Sequence, residues 1–260
     1  MSLTPEDYRL HDLPPLVDLH CHLIPGVDDG AHDEDESLRM MQVAVEDGIG
    51  VVAATPHAHR CPANRVAGKV DRLREIAAEH GLDLQIVTGI EVRYDPNLFQ
   101  RFEVGEFLTL NDTRYMLLEL YLSGSWPKSL MRTLAELHDA NIWPVLAHAE
   151  RYEDVQRDPT ILLEVIAAGV PVQINADSLS GKAERGARPA AEFLIANQMA
   201  HIVASDAHNS RWRPPRLRPA FERVAELAGE SYARTMIDNA AAIVAGEPLS
   251  LPQPQVVYHL

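Results

Sequence analysis

The chain has 260 residues, 46% of them hydrophobic, and a formal net charge of −15 at pH 7. This length can bury a large core as one α/β domain, and the negative charge argues against a nucleic-acid binder that works by neutralising phosphates. No apolar run approaches the roughly 20 residues that cross a bilayer, and no signal-peptide pattern begins the chain, so we expect a cytoplasmic protein without membrane insertion.

The first strand-like stretch ends in two histidines. Leu16 and Val17 lead into Asp18-Leu19-His20-Cys21-His22, which places His20 and His22 at i and i+2. Because side chains alternate across a strand, both imidazoles should leave the same face near the end of the strand. The acidic turn Asp28-Asp29-Gly30 follows, so this region predicts the first half of a metal site.

Strand-like and helix-like segments then alternate along the chain. The pair Asp33 and Glu36 has the spacing of a capping box that opens the first helix. Further strands are predicted at residues 49–55, 84–90, 115–119, 142–147, 170–175 and 201–205, and helices at about 63–80, 129–139, 158–169 and 188–198. The region 92–113 interrupts this order with a short helix near 97–102 and a hairpin at 107–112, and two amphipathic helices cover about 216–245.

Seven strand-then-helix units indicate a parallel sheet that is buried on both faces, and a barrel is its natural closure. Six of the seven strands end on His, Asp or Glu, and active residues of α/β barrels gather at this end of the strands. We expect one domain over residues 1–260, with its core at about 16–246 and an extension of unknown role at 247–260.

The residues at these strand ends resemble the motifs of a known superfamily. They resemble the motifs of the polymerase and histidinol phosphatase (PHP) superfamily, in five stretches: His20-Cys21-His22, Thr55-Pro56-His57, Gly89-Ile90-Glu91, His148 and Ser205-Asp206-Ala207-His208. Within it, four runs resemble the bacterial CpsB/YwqE protein-tyrosine phosphatases of capsule and exopolysaccharide clusters: Asp18 to Gly30, residues 110–115, residues 148–152 and Arg213-Pro214-Pro215-Arg216.

This resemblance implies a distorted seven-stranded (β/α)7 barrel, similar to a TIM barrel, that holds three divalent metal ions. Manganese is the first expectation, with iron, zinc or magnesium as alternatives. The implied ligands are His20, His22, Glu91 and Asp206 for one ion, Glu91, Glu119 and His148 for the second, and Asp29, His57 and His208 for the third. The implied substrate is the phosphotyrosine tail of a bacterial tyrosine kinase.

Clustered divalent ions can supply a hydroxide at neutral pH, so no protein nucleophile is needed. We assign Arg151 and Arg213 to the charge on the phosphoryl oxygens, although an ion pair with Glu150 or Glu153 is an alternative for Arg151. A cysteine nucleophile is disfavoured because neither Cys21 nor Cys61 begins a Cys-x5-Arg loop.

Some alternatives stay open at this point. A small-molecule phosphatase of the histidinol phosphate type would share the chemistry, and a non-catalytic metal-binding regulatory protein would share the fold. Asp28 either orients a ligand or shapes its turn, His59 is read as a loop residue, and Asp18 is unassigned. The remaining histidines, read as surface or structural, are His11, His32, His80, His138, His201 and His259.

Overall fold

A computed structural model describes residues 14–180 and 186–255, so His11, His259 and the last part of the extension lie outside the described residues. The strands are β1 (Leu16–Cys21), β2 (Ile49–Ala54), β3 (Gln85–Thr88), β4 (Glu91–Arg93), β5 (Tyr115–Glu119), β6 (Trp143–Leu146), β7 (Gln173–Asn175) and β8 (Ile202–Ala204). The helices are α1 (Glu34–Glu46), α2 (Ala63–Glu79), α3 (Leu98–Glu103), α4 (Leu130–Asp139), α5 (Glu153–Arg157), α6 (Leu162–Ala167), α7 (Ala176–Ser180), α8 (Ala187–Ala196), α9 (Arg218–Ala228) and α10 (Glu230–Ala245).

The strands form three short parallel sheets, with orders β1-β2-β3, β4-β5-β6 and β7-β8. Isolated parallel bridges connect neighbouring sheets at Cys21 and Ala207, at His57 and Glu91, and at Leu146 and Val172. Most strand residues are buried on both faces, as is typical of a parallel sheet covered by helices. The predicted α/β alternation is therefore confirmed.

Local sequence signals account for several helix boundaries. Asp33 caps α1, because its side chain accepts a hydrogen bond from the Glu36 N–H at 2.8 Å. Only this half of the predicted capping box forms, since the Glu36 carboxylate accepts from the Ser210 N–H instead. The apolar face predicted for α2 is buried, and α9 and α10 occupy the region predicted for two amphipathic helices.

The predicted third strand divides at Gly89. A Cβ atom at this position would lie 2.8 Å from the side chains of Leu110 and Thr55, which would have to shift to admit it, so glycine suits the close packing here. Residues 85–88 stay in the first sheet, whereas Glu91 begins the second sheet. Eight short strands therefore occur in the described ranges where the sequence predicted seven.

The hairpin predicted at 107–112 is wrong. Residues Leu110–Asp112 form a 3-10 turn in which Asn111 and Asp112 have φ values of 52° and 54°. The Asn111 amide donates to the Val244 carbonyl at 3.0 Å, so this segment packs on α10 and has no partner strand. The sequence suggested a hairpin because short apolar runs flank polar turn residues here. The contact of Asn111 with α10 determines the conformation of the segment instead.

The described part of the C-terminal extension lies at the end of the sheets where the strands begin. The Tyr115 hydroxyl, at the start of β5, donates to the Glu247 carbonyl at 2.6 Å, and Asn239 exchanges two hydrogen bonds with the backbone of Ser250.

Among residues 14–180 and 186–255, no helix combines the length and the apolar character that crossing a bilayer requires.

His201, directly before β8, is a fully buried histidine. Its Nδ1 atom accepts from the Val172 N–H at 3.1 Å, while the Nε2 atom has no hydrogen-bond partner. Burial lowers the pKa of His201 from 6.5 to about 4. The unfolded chain therefore binds a proton in a pH range where the folded ring does not.

We expect His201 to make unfolding pH-dependent between pH 6.5 and pH 4. Its contribution is fully favourable above the unfolded pKa and decreases as the pH falls, by at most about 3 kcal/mol. His201→Asn keeps an acceptor for the Val172 N–H but does not titrate. Urea unfolding at pH 7 and pH 4.5 should give a smaller loss of stability for the variant than for the wild type. Equal losses in the two proteins would contradict this assignment.

Candidate metal centre

The side chains predicted as ligands converge at the ends of the strands. A pocket of about 310 Å³ lies there, and seven of the nine predicted ligands together with both predicted arginines line it: Asp29, His57, Glu91, Glu119, His148, Asp206, His208, Arg151 and Arg213. The other two, His20 and His22, are fully buried, and both lie within 3.5 Å of ligand carboxylates. The structure therefore brings all eleven predicted site residues together.

Donor atoms of four residues, His20, His22, Glu91 and Asp206, lie close together. The Nε2 atoms of His20 and His22 are 3.3 Å apart. They lie 3.4–3.5 Å from Asp206 Oδ1, and 3.3 Å and 3.5 Å from the Glu91 oxygens. The distances between the two histidines, and from them to the carboxylates, are close to the separation of about 3.4 Å between donors placed tetrahedrally at about 2.1 Å from an ion.

A second group contains Glu91, Glu119 and His148. The His148 Nε2 atom is 2.9 Å from Glu91 Oε1 and 3.9 Å from Glu119 Oε2. His148 has a left-handed backbone with φ 32°, an uncommon conformation for this residue type at the end of a strand. Glu91 thus belongs to both groups.

The third group contains Asp29, His57, His208 and also His22. His57 Nε2 is 3.3 Å and His208 Nε2 is 3.7 Å from the two oxygens of Asp29. The rings of His22 and His208 have centroids 4.0 Å apart. His22 therefore lies between the first and the third group, which the sequence did not predict.

The hydrogen bonding of these groups leaves room for cations. The Nδ1 atom of His57 and Oε2 of Glu91 are 2.6 Å apart, yet their geometry is not that of a hydrogen bond, and both are buried without a hydrogen-bond partner. Buried donor atoms that converge without hydrogen bonds fit metal coordination by imidazole and carboxylate.

The electrostatics indicate an excess of negative charge. Burial opposes the charge of Glu91, but His20 and His148 hold the pKa of Glu91 well below its usual range. Burial likewise lowers the pKa of His22, but the carboxylates of Asp206 and Asp28 raise it to about 10. Such carboxylates keep a proton on the imidazole, and a divalent ion can replace that proton.

Both predicted arginines contact the same carboxylate. Asp206 Oδ2 accepts from Arg213 Nη2 at 2.6 Å and from Arg151 Nη1 at 3.2 Å, whereas Oδ1 faces the histidines. This contact of Arg151 is with Asp206, and not with Glu150 or Glu153, the alternative partners considered from the sequence. The two guanidinium groups thus lie beside the metal groups at the pocket wall.

Asp28 performs both roles that the sequence left open. Its Oδ2 contacts His22 Nδ1 at 2.8 Å and accepts from the His57 N–H at 3.0 Å, while Oδ1 accepts from the Gly30 N–H. A side chain at Gly30 would lie 2.2 Å from the His22 carbonyl, so the turn requires glycine. Asp28 therefore orients His22, a predicted ligand, through the Nδ1 atom of the His22 ring.

Asp18, which the sequence left unassigned, fixes the last motif. Its carboxylate accepts from the Ser205 N–H at 2.9 Å and from the Ser205 hydroxyl at 2.5 Å, and it is fully buried. Burial raises the pKa of Asp18 to about 6. Asp18 shares a strand face with His20 and His22, and this period of two is the signal that would have found it.

Strand β7 supplies a polar chain that sequence reasoning missed. Gln173 Oε1 lies 3.2 Å from His20 Nδ1 and accepts from the His148 N–H at 3.1 Å. The Gln173 amide donates to Asn175, whose amide donates to Asp206 Oδ2 at 2.7 Å. Gln173 and Asn175 thus contact three predicted ligands, His20, His148 and Asp206. The two residues are at i and i+2 of one strand, and this spacing indicates that their side chains share a face.

Arg93 and Tyr121 were also missed. Arg93 donates twice to Glu119 Oε1, with both distances 2.8 Å, and its guanidinium lies 5.5 Å from the centre of the Tyr121 ring. Tyr121 is 65% exposed and lines the pocket mouth. The nearby His59 ring lies 5.1 Å from His57, and the donor atoms of His59, His57 and Glu119 lie close together.

Both cysteines are buried and do not face the reaction pocket. Cys21 is fully buried in the core, and neither thiol lines the pocket. Burial raises the pKa of Cys21 well above its usual value and also raises that of Cys61. These thiols are therefore poor nucleophiles.

Comparison with known proteins agrees with this geometry. The profile of the family described as capsular polysaccharide synthesis, CpsB/CapC, matches residues 16–245. The tyrosine-protein phosphatase CpsB of Streptococcus pneumoniae is 30% identical over 239 residues, covering 88% of this chain and 98% of the relative. The tyrosine-protein phosphatase YwqE of Bacillus subtilis is 28% identical over 246 residues, covering 93% and 96%.

Solved structures give the same result. Crystal structures of YwqE from B. subtilis and CpsB from S. pneumoniae, described as metal-dependent tyrosine phosphatases, match with a TM-score of 0.89 at 28% identity, covering 94% of this chain and 100% of that chain. A lactonase from Listeria monocytogenes matches with a TM-score of 0.56 at 14% identity, covering 92% and 97%, which concerns the fold alone. This chain belongs to the CpsB/CapC family.

Proposed function

We propose that this chain is a metal-dependent protein-tyrosine phosphatase, a phosphoric monoester hydrolase that acts on phosphotyrosine in proteins. One observation carries the proposal. Two arginine side chains and several overlapping groups of metal-type donors meet at one pocket, and the Asp206 carboxylate contacts both, since it accepts from each arginine and lies 3.4–3.5 Å from the Nε2 atoms of His20 and His22. The family relationship supports the same activity.

We infer that the three sheets together form a distorted seven-stranded barrel. The three parallel bridges between neighbouring sheets support this arrangement, and β3 and β4 would act as one broken strand. In such a barrel the pocket lies at the carboxyl ends of the strands, where active sites of α/β barrels are found.

We further propose three divalent ions, with manganese as the first expectation. The first would be held by His20, His22, Glu91 and Asp206, the second by Glu91, Glu119 and His148, and the third by Asp29, His57 and His208. When bound, such ions lower the pKa of a water molecule and so supply hydroxide for attack on phosphorus.

The charges of the pocket explain why its own side chains do not suffice to bind a phosphate ester. Four carboxylates line it, and an anionic phosphate ester would be repelled by them unless cations intervene. Arg151 and Arg213 are 19% and 31% exposed, so their guanidinium groups can turn from Asp206 toward phosphate oxygens. A planar guanidinium binds phosphate with two parallel hydrogen bonds, which stabilises the charge that develops during the reaction.

The pocket mouth favours an aromatic ester. Tyr121, supported by Arg93, offers an exposed ring to a phenyl group, and aromatic pairs gain energy beyond their buried area. The phenolic oxygen of tyrosine is also a better leaving group than a serine oxygen, so less proton donation is needed. We take the phosphotyrosine tail of a bacterial tyrosine kinase of capsule or exopolysaccharide biosynthesis as the natural substrate.

Hydrolysis of a phosphotyrosine peptide should exceed that of the same peptide with phosphoserine, and also that of histidinol phosphate. Phosphate release by the manganese-loaded protein measures all three rates. A chelator should abolish every activity, and manganese should restore it. Preference for histidinol phosphate would instead assign a small-molecule phosphatase, and no turnover with metals bound would assign a regulatory role.

His148→Ala should lower metal affinity and turnover without unfolding the protein. The side chain contacts Glu91 and belongs to the second metal group, so its loss should cost more than the roughly 10- to 100-fold effect of losing an outer partner of a ligand. Metal content after dialysis, circular dichroism and phosphate release measure the three effects. His80→Ala, which changes an exposed histidine outside these groups, is the control. Full metal content with normal turnover would contradict the assignment of His148.

The double variant Cys21→Ala, Cys61→Ala should keep turnover within about tenfold of the wild type, which corresponds to about 1.4 kcal/mol in the barrier. Both thiols are buried and have raised pKa values, so neither supplies a nucleophile. The measurement is phosphate release from the phosphotyrosine peptide at equal metal content. Complete loss of turnover with metals still bound would argue for a thiol-dependent mechanism.

A further inference from the structure

The most exposed large apolar side chain in the described part of the chain is Trp212, which is 82% exposed. It directly precedes Arg213, whose guanidinium lines the metal pocket. We call residues 209–213 the Trp212 turn. Exposing an indole to water costs free energy in proportion to its apolar surface. Aromatic residues are enriched at binding interfaces.

The Trp212 turn is held rigidly by one side chain. Asn209 Oδ1 accepts hydrogen bonds from the N–H groups of Arg211, Trp212 and Arg213, at 3.1, 2.6 and 3.2 Å. The Arg213 carbonyl accepts from the His208 N–H at 3.0 Å, which closes the turn. Trp212 is thus exposed on a fixed backbone and not on a loose loop.

A second contact anchors the turn to the body of the protein. The Ser210 N–H donates to Glu36 Oε1 at 2.6 Å, and the same carboxylate is bound by Arg39 at its other oxygen. Glu36 is buried in α1. Because the turn is ordered before any partner arrives, a partner would bind without the entropy loss of ordering this loop.

The charge around Trp212 is opposite to that of the whole chain. Residues 207–221 contain four arginines and no Asp or Glu, whereas the chain carries a net charge of −15. The side chains of Arg211 and Arg216 are exposed and form no ion pair with any carboxylate of residues 14–180 and 186–255. Several other exposed arginines are paired, as Arg72 is with Glu34 at 2.9 Å.

A small groove continues this surface. It has a volume of about 160 Å³, enough for about one side chain, and Trp212, Arg216, Pro214, Pro219, Ala176 and Asp177 contribute to its walls. The wall also contains the Asp177 carboxyl, whose pKa is raised by burial and by Asp206, while Arg213 and Arg151 oppose that shift. The groove therefore presents an apolar wall beside unpaired guanidinium groups, next to the metal pocket.

We propose that the Trp212 turn and this groove bind the polypeptide segment that flanks the phosphotyrosine and select segments that carry acidic residues. Arg211 and Arg216 attract the carboxylates, while Trp212 packs on an apolar part of the segment. The proposal rests on the proposed function, which it extends from the phosphate to the surrounding peptide. Binding and turnover are therefore measured separately.

The test compares two phosphotyrosine peptides of equal length, one with glutamates beside the phosphotyrosine and one with glutamines in their place. The wild type should hydrolyse the acidic peptide with a kcat/KM about tenfold higher, through a lower KM, and this preference should fall with added salt. The double variant Arg211→Gln, Arg216→Gln should lose most of this preference, whereas Trp212→Ala should raise the KM for both peptides and keep their ratio. The kcat/KM of both variants for 4-nitrophenyl phosphate, which does not reach the turn, should stay within about twofold of the wild type.

Arg132→Gln, which removes an exposed arginine on α4, is the control for net charge and should keep the preference. Binding is measured by fluorescence anisotropy with labelled acidic and neutral peptides that carry a non-hydrolysable phosphotyrosine analogue. Tight binding of the acidic peptide that depends on Trp212, without turnover of any ester, would support the docking surface and overturn the proposed phosphatase function.

Equal rates and equal binding for the two peptides, with normal turnover, would overturn the docking surface and leave the phosphatase function intact. Vesicles of phosphatidylcholine and phosphatidylserine provide the last comparison. Sedimentation with these vesicles that Trp212→Ala abolishes, together with unchanged peptide kinetics, would assign the turn to an anionic lipid surface and overturn the proposal.

Discussion

The concentration of buried carboxylate charge at the strand ends is the constraint on which the rest of this structure depends. Glu91 and Asp206 are almost fully buried and remain ionised, which is tolerable only if cations surround them. Imidazoles, two arginines and the Asn175 amide supply positive charge or hydrogen-bond donors around them. Asp206 itself has a left-handed backbone with φ 50°, a local strain kept where ligands must converge.

The sequence predicted where the candidate ligands lie, because each of them was expected at the end of an apolar strand. Each apolar strand could be recognised by composition, and the polar residue after it necessarily emerges at the common edge of the parallel sheet. Which ligands share an ion was harder to derive, since it depends on angles between strands. His22 illustrates this, because its Nε2 atom faces Asp206 and Glu91 while its ring stacks near His208.

The residues that orient the ligands were not predicted, for a different physical reason. Asp18, Gln173 and Asn175 lie inside strands, where polar side chains carry no sign of which neighbour they contact. Long-range packing decided the wrong hairpin in the same way, since Asn111 bonds to a helix more than 130 residues away. Local patterns thus predict elements, and tertiary contacts decide how irregular segments between them fold.

The Trp212 turn shows how one short segment joins catalysis to recognition. Asn209 fixes the backbone of both Trp212 and Arg213, so the exposed indole and the Arg213 guanidinium extend from backbone positions that are fixed relative to each other. Their Cα atoms are about 3.8 Å apart, as for any consecutive residues, while their side chains serve different surfaces. A peptide that binds to the indole is thereby positioned relative to the metal pocket at no further conformational cost, which is how binding energy from outside the reacting group lowers the barrier.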